Sequence, residues 1–241
     1  MTSLADTLTN ALLQARDSGT RADVSALVLP SYAEALAVQT NVTAQLGPVA
    51  GFKVGPLFPG EPMIAPIPQR RVYASGEEVP ARGRLGIELE VAFELIRPRA
   101  PGMMDTPQDF FRPRVVLELV DTRLDGDAPD PLFKLMDMQL NDGLVVGPAL
   151  EDWDGSDFGT LTASQRCGDH VIDGALDVPG GSALANLALF VEHVGDHCGG
   201  LQPGQIVITG SLTGCTYHPT GTDVTGTIEG LGTISCRIMA A

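Results

Sequence analysis

The sequence has few basic residues, and this scarcity limits its partners. Lysine and arginine together number 15 against 30 aspartates and glutamates, so the formal net charge at pH 7 is -15. A negative protein is repelled by nucleic acids and by anionic membrane surfaces unless a local basic patch intervenes. The one adjacent basic pair, Arg70 and Arg71, is too small for such a patch. We therefore expect no nucleic-acid partner and no membrane partner.

Long hydrophobic runs and closely spaced cysteines are also lacking. No apolar stretch is long enough to span a bilayer, and the N-terminus has no basic segment of the secretory type, which predicts a cytoplasmic protein. The cysteines form no C-x-x-C pair, and this argues against a zinc ribbon or a redox dithiol. We interpret them as reduced thiols: Cys167, Cys198, Cys215 and Cys236.

The remaining composition is that of a folded protein. Of the 241 residues, 44% are hydrophobic and 19% are charged, which suffices for a large core and excludes a disordered chain. Apolar residues recur at helical intervals over residues 4–27 and again over 30–46. A later helix is predicted over residues 182–191, with Gly199 and Gly200 as its C-cap.

The character of the sequence changes after Gly51. Glycine and proline become frequent, and short β-branched runs alternate with turn residues over most of the remaining length. No repeat, low-complexity tract or long linker divides this part. We therefore predict an N-terminal helical extension over residues 1–50 and a β-rich catalytic domain over residues 51–241.

Three glutamates in this domain are candidate metal ligands. Residues 86–95 alternate strictly between apolar and polar, which places Glu88 and Glu90 on one strand face, roughly 6.5 to 7 Å apart at Cα. Glu118 stands in the apolar run 115–121, where an ionised carboxylate is costly unless it is paired or bound to a metal. Three hard oxygen donors without histidine or cysteine suit Mg²⁺ or Mn²⁺ rather than zinc.

A simpler interpretation of the same residues stays open at this point. Alternating charge is how antiparallel strands normally meet water, so Glu88, Glu90 and Glu94 could form a solvated face. Glu118 would then form an ion pair with an arginine such as Arg123. The alternation alone favours this interpretation, and the central position of Glu118 weakens it.

Several short motifs follow one another along the chain. They are Gly-Phe-Lys-Val-Gly at 51–55, Gly-Ile-Glu-Leu-Glu at 86–90, Leu-Glu-Leu-Val-Asp-Thr-Arg at 117–123, Asn-Asp-Gly-Leu-Val-Val-Gly at 141–147, Ile-Thr-Gly-Ser-Leu-Thr-Gly at 208–214 and Glu-Gly-Leu-Gly at 229–232. Each motif alone is weak, but their order and spacing are specific and span nearly the whole chain. In this order and spacing the sequence resembles the fumarylacetoacetate hydrolase superfamily. Within the superfamily it is most similar to the branch of 2-oxopent-4-enoate hydratase and 4-oxalocrotonate decarboxylase.

The resemblance implies an α+β fold, a rolled mixed β-sheet with flanking helices, in a protein that forms homo-oligomers. It implies Mg²⁺ or Mn²⁺ held by Glu88, Glu90 and Glu118, with Lys53 in the pocket as a cation or as a proton carrier. It also implies substrate contacts by four further residues: Asn141, Gly210, Ser211 and Leu212.

The chain departs from this pattern in one place. The hydratases carry a Pro-Asp-Phe-Gly-like run whose aspartate enters the pocket, whereas this sequence reads Pro-Met-Ile-Ala-Pro-Ile at 62–67. The pocket aspartate is therefore missing near Met63. Either Glu61 or a water molecule replaces it, or the chemistry differs from hydration.

These features lead to a hypothesis of function with named alternatives. The first is a Mg²⁺-dependent lyase of aromatic catabolism that hydrates a 2-hydroxy-2,4-dienoate to a 4-hydroxy-2-oxo acid. The nearest rival is the decarboxylase of a 2-oxo-3-enedioate, and either enzyme could form a complex with a sister enzyme of the other type. A C–C hydrolase of acylpyruvates is less favoured, because that branch uses a His-Glu pair before the metal motif and no histidine precedes His170. A non-catalytic binding protein or inactive subunit is the last alternative.

Overall fold

The computed structural model describes residues 2–57, 60–125 and 130–241, and this part of the chain contains five α-helices. Ser3 and Ser31 begin the two longest helices, and each forms a reciprocal capping box with the acidic residue three positions later. No described helix combines the length and the apolar character that a membrane crossing requires. The helices are α1 (Leu4–Ser18), α2 (Tyr32–Leu46), α3 (Pro107–Phe110), α4 (Pro131–Met136) and α5 (Ala183–His193).

Two predicted helix ends were wrong. Helix α1 ends at Ser18 rather than near residue 27, because Gly19 adopts a left-handed conformation (φ 75°) and closes the helix as its C-cap. Helix α5 ends at His193, with Val194 as its C-cap, so Gly199 and Gly200 do not cap it. They belong to a separate short turn that follows the helix. Helix α2 lies within the predicted range.

Strands make up most of the chain after α2. Within the described residues they form an eight-stranded mixed sheet, a five-stranded sheet and a two-stranded ribbon of β1 and β8. The strands are β1 (Ala22–Asp23), β2 (Val49–Leu57), β3 (Pro62–Pro68), β4 (Val72–Ala74), β5 (Glu78–Ala81), β6 (Arg84–Leu95), β7 (Phe111–Val120), β8 (Leu124–Asp125), β9 (Asn141–Ala149), β10 (Thr160–Cys167), β11 (His170–Asp177), β12 (Ile206–Ser211), β13 (Thr216–Pro219), β14 (Asp223–Ile228) and β15 (Gly232–Ala240).

The eight-stranded sheet has the order β3-β2-β12-β6-β7-β9-β4, with β13 paired to β6 outside this path. Strand β12 lies parallel to β2 and antiparallel to β6, so the sheet mixes both pairings. The second sheet has the order β11-β10-β14-β15-β5. Strands and helices are thus combined as the predicted α+β class requires, and this prediction is confirmed.

The main core lies between the two sheets. Phe52, Leu89 and Leu117 of the large sheet are fully buried in one cluster with Ile234 of the second sheet. Gly226 of β14 marks how closely the layers approach, because a Cβ atom there would lie 2.7 Å from Leu89 Cδ1. Burial of these side chains contributes the hydrophobic stabilisation that keeps the two sheets together.

The N-terminal helices form a second cluster with the edge of the large sheet. Leu8 and Leu12 of α1 and Val38 of α2 are buried together with Ala65 of β3 and Leu135 of α4. The first strand of the large sheet begins at Val49, next to the predicted boundary near residue 50. The division into an N-terminal extension and a β-rich domain remains a prediction.

The large sheet curls strongly around the face that carries its ionisable residues. Phe52 and Val54 point into the main core, so Lys53 between them points to the opposite face. Strands β2 and β7 are separated by two strands, which in a flat sheet would place them roughly 14 Å apart. Lys53 Nζ nevertheless lies 2.8 Å from Glu118 Oε2 on β7. The extended lysine and glutamate side chains cover part of this separation, and the curvature of the sheet covers the rest.

The close approach of β2 to β12 yields a prediction. A Cβ atom on Gly51 would lie 2.0 Å from the main-chain oxygen of Ile206. We expect Gly51→Ala to lower the free energy of unfolding by about 1–3 kcal/mol, because the two strands must separate to relieve the clash. Urea denaturation measures the change. Thr162→Ala, at an exposed strand position, is the control and should change stability by less than about 0.5 kcal/mol. Equal stability of the two variants would contradict the close approach.

Candidate metal centre

Two neighbouring strands bring the three predicted glutamates together. Strands β6 and β7 pair antiparallel, with Glu88 directly opposite Glu118 and Glu90 two residues further along β6. One carboxylate oxygen from each residue lies within 4.8 Å of the oxygens of the other two. The cluster therefore presents three oxygen donors to one point on the curled face.

Burial makes this cluster electrostatically costly. Glu90 and Glu118 are 1% and 0% exposed, and Glu88 keeps only partial access to solvent. Burial raises the pKa of Glu88 to about 7 against the opposing effect of Lys53, and Glu118 raises it further. Burial likewise raises the pKa of Glu90, with Glu118 and Glu88 adding to the effect. A cation at this point would relieve the repulsion among the carboxylates.

Lys53 is the cation that the structure places beside the cluster. Its Nζ donates hydrogen bonds of 2.9 and 2.8 Å to the two oxygens of Glu118 and lies 3.7 Å from Glu88 Oε2. Burial lowers the pKa of Lys53, but Glu118 and Glu88 outweigh burial and hold it above its ordinary value. In the metal-free protein Lys53 is therefore a positive charge among these carboxylates, and its role as a cation or as a proton carrier stays a prediction.

Two of the predicted substrate contacts bond to the carboxylates. Asn141 Nδ2 donates a 2.9 Å hydrogen bond to Glu118 Oε1. The main-chain N–H of Gly210 donates a 2.7 Å hydrogen bond to Glu90 Oε2. Gly210 has φ 114°, a backbone conformation that favours glycine, so the residue type fits the position from which its N–H reaches Glu90. These bonds orient the carboxylates.

The two residues after Gly210 also lie beside the cluster. Ser211 pairs with Glu90 across β12 and β6, after an irregularity in the register. The main-chain N–H of Leu212 donates a 2.9 Å hydrogen bond to the carbonyl of Leu89. Six of the predicted residues thus belong to the cluster or form hydrogen bonds with it: Lys53, the three glutamates, Asn141 and Gly210. Ser211 and Leu212 lie next to them. Their contacts with a substrate remain predictions.

The solvated-face interpretation does not describe these strands. Arg123 bonds to Asp137 and not to Glu118, since its Nε donates a 2.5 Å hydrogen bond to Asp137 Oδ1. Glu94 forms a separate ion pair, in which its Oε2 lies 2.8 Å from Arg114 Nε. Of the three glutamates of the proposed face, Glu90 is fully buried and Glu88 is half-buried. The alternation predicted a shared face correctly, but that face is enclosed.

Glu61, the predicted replacement for the missing aspartate, lies away from these contacts. It is exposed. The pKa of Tyr32 is raised mainly by burial, and the negative charge of Glu61 raises it further. No described hydrogen bond or ion pair joins it to Lys53 or to the glutamates. Met63, at the position of the missing aspartate, is 6% exposed, and its carbonyl accepts a hydrogen bond from Gln139. The catalytic role of Glu61 stays a prediction.

Gln139 is a residue of the site that the sequence did not reveal. Its main-chain oxygen lies 3.5 Å from Lys53 Nζ, and its side-chain oxygen would be 2.6 Å from a Cβ atom on Gly55. Met138, Gln139 and Leu140 all have positive φ values between 49° and 65°. Such a run is rare outside glycine and stores strain that often marks functional sites. The local sequence does not predict this turn, because none of the three residues favours a positive φ.

Cys215 is a second residue whose position was not foreseen. Burial raises the pKa of its thiol to about 12, with further contributions from Glu88 and Glu118. Its Sγ would lie 2.7 Å from a Cβ atom on Gly86, two residues before Glu88. The thiol therefore lies beside the carboxylate cluster. No feature of the sequence distinguishes it from the other three cysteines.

Unpartnered polar atoms provide a test of whether this site fits a metal ion. Buried polar atoms without a hydrogen bond are rare in native proteins and call for an explanation. Among the described residues, four side-chain atoms are of this kind, and three of them surround the cluster: Glu90 Oε1, Asn141 Oδ1 and Ser211 Oγ. Free oxygen donors beside a triad of carboxylates fit a hard divalent cation and an oxygen-rich ligand. The site therefore passes the test.

Comparison with known proteins identifies the fold. No family model matches the sequence, and no curated protein does. Among solved structures, 4-oxalocrotonate decarboxylase from Pseudomonas putida G7, complexed with calcium and acetate, superimposes with a TM-score of 0.78 over 98% of this chain and 97% of that one, at 17% identity. The structure of the same enzyme with magnesium and adipate gives a TM-score of 0.75 at 19% identity, over 98% and 96% of the two chains.

A more distant similarity extends to a hydrolase. Fumarylpyruvate hydrolase from Pseudomonas aeruginosa, in complex with Mn²⁺ and pyruvate, has a TM-score of 0.55 and 16% identity, and the match covers 79% of this chain and 89% of that one. These proteins represent the fumarylacetoacetate hydrolase fold, so the fold that the sequence motifs implied is confirmed. At such low identity the similarity establishes the fold alone.

The raised glutamate pKa values predict how stability depends on pH. Because the pKa of Glu88 is about 7 in the folded protein and near 4.5 in an unfolded chain, the folded state binds more protons between these values. The free energy of unfolding of metal-free protein should therefore fall as the pH rises from about 4.5 to about 7. Mg²⁺ should stabilise the protein more at pH 8 than at pH 5. Thermal unfolding with and without Mg²⁺ measures both effects.

Glu90→Gln tests whether the cluster causes these effects. We expect this variant to have a shallower pH dependence, stability at pH 8 no lower than that of the parent, and little stabilisation by Mg²⁺. Glu229→Gln replaces an exposed glutamate and should retain both parental responses. A rise in melting temperature with Mg²⁺ that survives in Glu90→Gln would place the metal elsewhere.

Proposed function

We propose that the chain belongs to the fumarylacetoacetate hydrolase superfamily and is a divalent-metal-dependent enzyme acting on a 2-oxo acid. Glu88, Glu90 and Glu118 would hold Mg²⁺ or Mn²⁺, the cations suited to carboxylate ligands. The observation that carries this proposal is the enclosed triad itself, with oxygens within 4.8 Å of one another and unpartnered polar atoms around it. The solved structures of the same fold with calcium, magnesium or Mn²⁺ support it.

The residues around the triad are suited to hold an α-keto acid. A bound divalent ion would supply Lewis-acid polarisation of the 2-oxo carbonyl. Lys53 contributes a buried positive charge that favours a substrate carboxylate or the negative charge that develops on its oxygens. The Ser211 hydroxyl, which has no partner, is free to donate a hydrogen bond to a substrate oxygen.

Decarboxylation of a 2-oxo-3-enedioate fits the acid–base groups of the site best. In this reaction the bond from C5 to the terminal carboxylate breaks, CO₂ leaves, and the electron pair moves through the C3–C4 double bond to the 2-oxo oxygen, which takes up one proton. Bond cleavage thus needs an electron sink and a fixed positive charge but no general base. Lys53 Nζ lies 2.8 Å from Glu118 Oε2 and 3.7 Å from Glu88 Oε2, so it places a positive charge beside the cluster. This charge, together with the lack of an aspartate in contact with Lys53 among the described residues, favours decarboxylation.

Hydration of a 2-hydroxy-2,4-dienoate is the second candidate. It adds water at C4, so it needs groups that position a water molecule and move its protons. Asn141 Oδ1 and Ser211 Oγ are buried and have no hydrogen-bond partner, so they are candidates to hold such a molecule. Glu61 would have to approach the cluster to act as the base. Homo-oligomers and a complex with a sister enzyme remain predictions.

Product analysis distinguishes the two reactions. We expect the purified protein with Mg²⁺ to release CO₂ from 2-oxo-3-hexenedioate, and to form a 4-hydroxy-2-oxo acid slowly or not at all from 2-hydroxypenta-2,4-dienoate. Ultraviolet absorbance follows both substrates, and trapping of CO₂ identifies decarboxylation. Water addition without CO₂ would establish the hydratase instead. If neither substrate changes while Mg²⁺ still stabilises the protein, both reactions are excluded, and the acylpyruvate hydrolase and the non-catalytic protein are the alternatives that remain.

The chain contains two lysines, which provides a matched pair of variants. Lys53→Met removes the charge beside Glu118 and should lower kcat/KM by about 10²-fold or more, as loss of a preorganised electrostatic contact does. Lys134 is exposed, and Lys134→Met should leave kcat/KM unchanged within about twofold. Circular dichroism checks that both variants fold. Equal activity of both variants would exclude a role for Lys53 in turnover.

A further inference from the structure

A cavity of about 770 Å³ lies outside the carboxylate triad and has an unusual lining. Seven arginines line it, although the whole chain has only 15 basic residues and a net charge of -15. Lys53 and the three glutamates of the triad are not among the lining residues. The arginines come from widely separated segments, including the end of α1, the turn after β3 and the start of β6. The fold therefore collects nearly half of the basic residues at one place.

Four of these arginines have structural partners. Arg123 bonds to Asp137, Arg71 Nη2 lies 2.6 Å from Asp142 Oδ2, and Arg21 Nη2 lies 2.6 Å from Asp121 Oδ1. Arg82 donates to the main-chain oxygens of Ala15 and Arg16 at the end of α1. These groups fix the wall of the cavity. Their positive charge is largely matched by protein oxygens.

The other three arginines have no such match. Among the described residues, no carboxylate lies within hydrogen-bond distance of Arg16, Arg70 or Arg84. The Arg16 side chain is 9% exposed, its Nη1 is 3.9 Å from Asp142 Oδ1, and its buried Nε has no hydrogen-bond partner. Arg84 lies over the ring of Tyr217 at 4.9 Å, and Arg70 is exposed. Within the described part of the chain, three guanidinium groups are therefore available to a ligand.

The charge balance of the cavity is positive. Three aspartates line it with the seven arginines, and even if Asp137 and the C-terminal residue Ala241 are added to them, positive groups outnumber negative ones by seven to five. Burial lowers the pKa of Arg16 to about 9, with the charge of Arg123 adding to the effect. A buried guanidinium beside like charges is costly without an anion. Counted over the described residues, the cavity thus carries an excess of positive charge.

We propose that this cavity is a binding site for a small polyanion bearing carboxylate or phosphate groups. Arg16 Nε is the fourth unpartnered buried polar atom of the described residues, and the other three belong to the metal centre. Guanidinium groups bind carboxylates and phosphates through paired hydrogen bonds, and two anionic groups would engage the three available arginines. The volume lies in the range of about 300–1,000 Å³ typical of small-molecule sites. This second site is independent of the function proposed for the triad.

Titration calorimetry on the full-length, metal-free protein tests the proposal, with pyrophosphate and citrate as separate probes at constant ionic strength. Removing divalent ions prevents either anion from binding through the metal centre. We expect at least one probe to bind with one-to-one stoichiometry. The double variant Arg70→Gln/Arg84→Gln, at two exposed lining positions, should weaken binding by about tenfold or more. Arg16→Gln should weaken it as well.

Control variants separate a built site from general charge attraction. Arg97→Gln/Arg166→Gln removes two exposed arginines that do not line the cavity and should leave the affinity unchanged. Lys53→Met should also leave it unchanged, which separates this site from the metal centre. Binding of pyrophosphate alone would assign a phosphate ligand, and binding of citrate alone a carboxylate ligand. Absence of binding by both probes, or equal weakening in both double variants, would overturn the proposal.

Discussion

The repulsion among three enclosed carboxylates is the constraint on which the rest of the site depends. Two of them carry raised pKa values, and the fixed charge of Lys53 compensates the group only in part. The surrounding structure holds this unfavourable arrangement in place through hydrogen bonds from Asn141 and Gly210 and through the main core behind β6 and β7. Burying three carboxylates together lowers the stability of the folded protein. Their retention is explained if they bind a cation.

Local patterns in the sequence predicted those structural features that depend on residues close together in the chain, such as strand faces and burial. Alternation placed Glu88 and Glu90 on one face, and the apolar run around Glu118 predicted its burial. Helical periodicity, however, extended α1 beyond Gly19, because one left-handed glycine ends a helix whatever apolar residues follow it. The strained turn at Gln139 could not be predicted, since the residue has no preference for a positive φ and only tertiary contacts hold it there.

The arginine cavity could not be predicted for a different reason, because its arginines are distant in the sequence and close only in the folded protein. The sequence has one adjacent basic pair, Arg70 and Arg71, which is too small to bind a nucleic acid or a membrane surface. Three-dimensional folding adds five more arginines from segments between residues 16 and 123. Net charge describes the field far from a molecule, whereas local potential depends on which side chains the fold places together. A strongly acidic chain can therefore contain a strongly basic site.

The curvature of the large sheet has a consequence for the order of events during folding. Lys53 and Glu118 lie on strands separated by two others, so their contact requires these four strands to be paired and the sheet to be curved. Pairing of the strands therefore precedes assembly of the site, and the long sequence separation between the two residues delays their meeting further. Cation binding would then stabilise a sheet whose strands are already paired, and would contribute only to the last step of folding.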